Sequence, residues 1–169
     1  RDQWARAFDL TYEDSNGDTQ FCHQTTFGMS ERLLGAIVGM HGDDNGLILP
    51  PSIAPIQVIL MPVAAHADDN VIPKVEALAT HLERSGFRVR IDDRDLRPGT
   101  KHYDWEIKGV PIRLEIGPRD LASNQCTLSL RTGGKTEVPI EGIASSISQC
   151  LESISEELRT RSHAQASEL

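Results

Sequence analysis

Basic residues, cysteine and long apolar runs are all scarce in this chain, and each scarcity closes off a class of function. Lys and Arg number 17 against 25 Asp and Glu, for a formal net charge of -8. A sequence-independent nucleic-acid coat binds by counterion release through clustered Lys and Arg, so this balance argues against one. A selective RNA contact made by a few placed side chains stays open. Cys22, Cys126 and Cys150 are odd in number and far apart, which fits neither a disulfide framework nor a CxxC zinc pair. A reducing cytoplasm is the expected compartment. No apolar stretch approaches the roughly 20 residues of a membrane span, and no signal peptide is expected. Asp43-Asp44-Asn45-Gly46 lacks the alternating spacing and later bidentate Glu of a calcium loop. A capped turn is expected there, and no metal site in the chain.

The rest of the composition is that of a globular protein. It is 38% hydrophobic over 169 residues, enough for one full domain and part of another. The first residues, Arg1-Asp2-Gln3-Trp4, carry no Met and read as structured sequence, so a fragment is expected. Residues 8 to 24 read as a hairpin around Asn16-Gly17, a pair that suits a turn with positive φ at both central positions. A helix follows with Leu33, Leu34, Ile37, Val38 and His41 on one face, ending near Gly42. Two strands and one helix cannot bury these faces alone. Residues 1 to about 50 are therefore expected to be the end of a larger antiparallel domain.

Pro50, Pro51 and Pro55 mark a boundary. Ile56 to Val63 is nearly all apolar, as in a strand covered on both faces. A helix is predicted from Asp69 to Ser85, with Val71, Val75, Leu78, Ala79 and Leu82 inward and Gly86 beyond its end. Strands are predicted at 87–91, 111–116, 126–131 and 136–140, the last two flanking Gly133-Gly134. A short helix is predicted at 101–108 after Pro98-Gly99. A long one starts at Ile143, with fraying expected from about Ser162. The fold class is α/β, a mixed five-stranded sheet with three helices.

The stretch from Gln24 to Pro51 is the first candidate site. An extended segment delivers Gly28 and Arg32 to a helix start, a way of holding phosphates: the glycine lets the backbone approach a ligand, and the guanidinium is a planar fork. A cation at a helix N-terminus opposes the helix dipole, so Arg32 calls for an external partner. Ser30 alone is better explained as a helix cap.

TTFGMSER, residues 25–32, followed by LLGAIVGMHGDDNGLILPPSIAPIQV, resembles motif 3 of class II aminoacyl-tRNA synthetases in the form seen in prolyl-tRNA synthetases. ARAFDL ahead of it fits the same family. DDRDLRPGTKHYDWEIKGVPIRLEIGPRDL resembles that family's anticodon-binding domain, in the wording of its archaeal, eukaryotic and some bacterial members. The resemblance implies that residues 1–54 are the C-terminal part of the catalytic domain and 55–169 the anticodon-binding domain. It implies an ATP-dependent ligase that joins L-proline to tRNA(Pro) through prolyl-adenylate, with ATP and Mg2+ as substrate and a homodimer formed through the catalytic domain. The first two class II motifs are not in this sequence, so the chain alone is expected to be inactive and to hold no cofactor.

By that resemblance Arg32 is the catalytic arginine on the adenine face and the triphosphate, with Gly28 and Ser30 also on ATP. Gln24, Thr26, Phe27 and Gly28 line the proline pocket; many members carry Trp where Phe27 stands. Glu106, Lys108, Arg113, Arg119 and Asp120 fall where the family reads the anticodon, and a lysine also occurs in the family at Arg119. The chemistry fits guanine, whose O6 and N7 accept from arginine and whose N1 and N2 donate to a carboxylate. Without the family pattern, these charges read as a surface ion-pair ladder. Arg94, Arg97 and Lys101 are weaker candidates for backbone phosphates, or solvated loop charges. The alternative function is a non-catalytic tRNA- or protein-binding module on the same fold, which would have no reason to keep TTFGMSER.

Overall fold

The computed structural model describes residues 1–167. It divides into two compact units, Arg1–Leu34 and the chain from Gly35 on.

In the first unit, α1 (Gln3–Ala7) precedes an antiparallel pair, β1 (Thr11–Glu13) and β2 (Thr19–Phe21), with Tyr12 opposite Gln20. The hairpin is where the alternation placed it, but its turn differs. Gly17 alone has positive φ, at 84°, and Asp14 Oδ1 accepts the amides of Asn16 at 2.9 Å and Asp18 at 3.1 Å. The Asp14 side chain thus holds a wider loop that spares Asn16 the left-handed conformation. Ala5 is the single fully buried apolar residue described in this unit, while Trp4, Phe8 and Tyr12 stay exposed. Helix α2 (Arg32–His41) follows, with no residue of it fully buried.

The second unit is built on a five-stranded sheet in the order β4-β3-β5-β6-β7, where β3 is Val58–Pro62, β4 Val89–Ile91, β5 Ile112–Ile116, β6 Gln125–Leu130 and β7 Lys135–Pro139. β3 runs parallel to β4 and β5, and β5-β6-β7 is an antiparallel meander. The mixed sheet follows from the connections. Helices α3 (Val71–Arg84) and α4 (Pro98–Ile107) return the chain to parallel positions, whereas the Gly133-Gly134 turn permits only an antiparallel neighbour.

Strand periodicity then sorts the two faces. Val58, Leu60, Ile112, Leu114, Ile116 and Leu128 point one way and join the inward residues of α3 and of α6 (Ile143–Ser167) in the main core. Ile59 and Met61 point the other way, under Trp105 and Val110. Helix α4 therefore covers β3 on that face, and the register puts Arg113 beside Ile59 and Glu115 beside Met61. Burial at roughly 25 cal/mol per Å² makes the first face the source of stability. The second face is left to carry polar groups.

Two predicted helix boundaries move and one helix is added. α4 starts at Pro98, because proline at the first helical position costs no hydrogen bond. A fourth helix, α5 (Pro118–Ala122), is added to the three predicted in this unit. α6 runs on to Ser167 past the residue where fraying was expected, with Leu158 still buried. Among the described residues no helix is long and apolar enough to cross a membrane.

Candidate nucleic-acid interface

On the polar face, β5, β6 and β7 and the end of α4 enclose a cavity of about 360 Å³. Its apolar walls are Ile59, Trp105 and Val110; its polar lining includes His102, Glu106, Arg113, Ser129, Arg131 and Lys135. The ladder explains the convergence. Arg113 is the direct partner of Ser129, and Ser129 of Lys135, so one row across three strands places all three on the same face.

Glu115 organises the cations of this face. Arg113 Nε donates to Glu115 Oε1 at 3.0 Å, and Lys135 Nζ lies 3.6 Å from Oε2. Fixing the guanidinium through Nε leaves both terminal nitrogens of Arg113 for a ligand. His102 Nε2 is 3.2 Å from Glu115 Oε1 but off the line of a hydrogen bond. Burial, aided by the Arg113 charge, pushes the His102 imidazole below its usual pKa, so it is neutral at pH 7. The Arg131 side chain is nearly inaccessible; its Nε donates to the Glu106 carbonyl at 3.0 Å while its terminal nitrogens grip Asp43 at 2.6 and 2.9 Å.

A second polar cluster secures α4. The carboxylate of Asp92, 2% exposed as a residue, accepts from Trp105 Nε1 at 2.6 Å and from Arg94 Nε and Nη2 at 2.8 Å each. Lys101 Nζ donates to the Asp92 carbonyl at 3.0 Å. Hydrogen bonds from Arg94 hold Asp92 well below the usual carboxylate range. Arg94 also reaches Asp104 at 2.9 Å. Arg94 and Lys101, the weaker phosphate candidates of the sequence, thus have partners within the protein.

The predicted anticodon residues fall into two groups. Glu106 and Arg113 meet in the cavity, and Lys108 lies beside it with Nζ 4.5 Å from the centre of the Trp105 ring. Arg119 and Asp120 lie on α5, past the far end of β5, and do not line the cavity. Asp120 Oδ2 accepts the Gly117 amide at 2.8 Å, which makes it a helix cap. Arg119 is exposed. His102, Ser129, Arg131 and Lys135 join the cavity without having been singled out from sequence. Their signal was the alternation on either side of Gly133-Gly134, which places 129 and 135 on one face once the hairpin register is known.

The catalytic-side candidates lie in one contiguous exposed segment. Gln24, Thr26, Phe27, Gly28, Ser30 and Arg32 are all exposed, Phe27 at 93%. A Cβ built on Gly28 meets nothing within 4 Å. The Ser30 carbonyl accepts the Leu33 amide at 3.0 Å, beginning the turn into α2.

Residues 57–149 match the family model described as anticodon binding domain, over the strands and helices that build the cavity. The chain belongs to the anticodon-binding domain family. It is also 45% identical over 163 residues to the proline–tRNA ligase of Thermococcus kodakarensis, covering 95% of this chain and 34% of the relative. The ligase of that name from Methanoculleus marisnigri is 43% identical over 158 residues, covering 93% and 33%. That from Methanocorpusculum labreanum is 45% identical over 152 residues, covering 89% and 32%. The chain thus spans about a third of the length of these curated relatives. The match to each extends well beyond the anticodon-binding domain and takes in the TTFGMSER segment.

Proposed function

We propose that this chain is the part of a cytoplasmic proline–tRNA ligase that reads the anticodon of tRNA(Pro) and supplies one wall of the site for ATP and L-proline. The supporting observation is the convergence of Glu106 and Arg113 on one cavity, with Arg113 held through Nε alone. The guanidinium then offers its fork to guanine O6 and N7, and Glu106 accepts from N1 and N2. Lys108 and Arg119 contribute positive charge to the flanking RNA backbone. Asp120 acts by capping the helix that carries Arg119.

In the parent protein the proline carboxylate attacks the α-phosphate of ATP, which enters with Mg2+ as substrate, and pyrophosphate leaves. This step needs placement and charge more than acid or base chemistry. Arg32 stacks on adenine and pairs with phosphate, Gly28 and Ser30 approach the nucleotide, and Gln24, Thr26 and Phe27 hold proline. The open, unhindered surface around Gly28 suits such a role. Residues 1–54 belong to the catalytic domain and 55–169 to the anticodon-binding domain, with dimerisation through the former.

The test is RNA binding by the chain with Arg113→Ala, measured on hairpins whose loops carry guanines or adenines in their place. Losing a bidentate base contact should weaken the guanine hairpin about tenfold to a hundredfold and leave the adenine hairpin unchanged. Equal affinity of wild type and variant for the guanine hairpin would refute the reading.

A further inference from the structure

We propose that Ser129 Oγ and His102 Nε2 are two further contacts to the guanine that enters the cavity beside Arg113. The proposal rests on the anticodon reading above.

Ser129 is 7% exposed, and its hydroxyl has no hydrogen-bond partner among the described residues. A buried hydroxyl left unpaired weakens the folded state, so its presence calls for a partner that arrives from outside. Ser129 is one of the residues that line the cavity already assigned to RNA. Ser129 is also the direct ladder partner of Arg113, which sets the two Cβ atoms about 5 Å apart on one face. A ligand edge that meets the Arg113 fork therefore passes over Ser129.

His102 supplies the second unpartnered atom. Its Nε2 is buried without a hydrogen-bond partner, and the His102 side chain is part of the lining of the same cavity. Beside the Glu115 carboxylate a neutral ring keeps its proton on Nε2, where an acceptor lone pair would be repelled. That N–H is misaligned with Glu115 and stays available. The groups facing His102 are Arg113 and Glu115 from β5, Lys135 from β7 and Glu106 from its own helix.

The lining selects a base over a phosphate. A phosphate would meet the cations alone and leave the Glu106 acceptor without a donor, whereas a base can pair with both, and Ile59, Trp105 and Val110 offer apolar walls to its ring faces. Among bases, guanine presents two acceptors and two donor groups on its edges. Arg113 and His102 donate, Glu106 accepts, and the Ser129 hydroxyl can do either. Adenine has an amino donor where guanine has the O6 acceptor, so the Arg113 fork could meet N7 alone and would lose its bidentate pair.

The experiment compares the wild-type chain with Ser129→Ala, His102→Phe and Arg113→Ala for binding to fluorescent RNA hairpins with guanine or adenine loops. Melting temperatures are recorded for each. Ser129→Ala and His102→Phe should each weaken the guanine hairpin about threefold to tenfold and leave the adenine hairpin unchanged. Ser129→Ala should melt no lower than wild type, because it removes an unpaired polar group. If both variants bind the guanine hairpin like wild type while Arg113→Ala does not, the anticodon reading survives and this proposal fails, with water serving Ser129. A lowered melting temperature with equal losses on both hairpins also overturns it, by showing a packing role. If Arg113→Ala itself loses no discrimination, the anticodon reading falls first.

Discussion

Arg131 has a side chain only 4% exposed, and its neighbours are arranged around its charge. Asp43 grips both terminal nitrogens, and the Glu106 carbonyl takes Nε. Hydrogen bonding from Arg131, partly offset by burial, lowers the Asp43 pKa from 3.8 to about 2. A folded-state pKa below the unfolded one adds stability that is complete above the unfolded value and disappears as pH falls through the folded one. The contribution should therefore be whole above about pH 4 and lost between there and about pH 2. Asp43→Asn leaves a buried guanidinium without its anion and should cost about 2–4 kcal/mol at pH 7. Urea unfolding at stepped pH checks this: the gap between wild type and variant should close below pH 3.8, and a constant gap would refute it. The sequence made only half of this visible. The capped turn was legible because Asp43 accepts the Asn45 amide two residues on. Its ionic partner lies 88 residues away, and local spacing carries no trace of it.

At the scale of elements, β5 was the most readable because its alternation has only one solution: Ile112, Leu114 and Ile116 buried, Arg113 and Glu115 on the polar face. The heptad-like apolar face of α6 and the inward set of α3 were legible for the same reason. α1 and α5 were not, since five residues make less than two turns and show no period. The joint between Gly46-Leu47 and Gly109 was hidden too. Gly109 sits at φ +69°, and a Cβ there would lie 2.7 Å from both Cβ and the carbonyl oxygen of Leu47. The Leu49 amide donates to the Gly109 carbonyl at 3.2 Å. Gly109→Ala should therefore destabilise by about 2–4 kcal/mol, through left-handed strain and the clash. It should also weaken the guanine hairpin, because Glu106 and Val110 on either side line the cavity. Gly99→Ala is the control. Gly99 lies in α4 with nothing within 4 Å of a built Cβ, so alanine should be neutral or add up to about 1 kcal/mol. Equal melting temperatures for the two variants would show that the Gly109 contact carries no stability.

Across the whole molecule, stability is concentrated unevenly. The unit from Gly35 on holds nearly all the buried apolar side chains described, in a core that joins all five strands of its sheet to α3 and α6. The unit Arg1–Leu34 buries Ala5 alone among its apolar residues, and Phe27 and Met29 stand 93% and 86% exposed. Local opening costs little where few apolar contacts must break, so backbone protection should follow this division. In amide hydrogen exchange on the isolated chain, Thr11–Phe21 should exchange within seconds to minutes, while β3, β5 and β6 are protected close to the global limit. The expected reading of residues 1 to about 50 as the end of a larger antiparallel domain makes a second, opposite demand. In the full-length parent the remaining strands would cover Phe8, Tyr12 and Leu33, and protection of Thr11–Phe21 should rise by at least a hundredfold, about 2.7 kcal/mol of local stability. Unchanged exchange in the parent would mean that this surface is free there as well. TTFGMSER would then have no catalytic domain around it, leaving anticodon recognition as the function that the geometry supports.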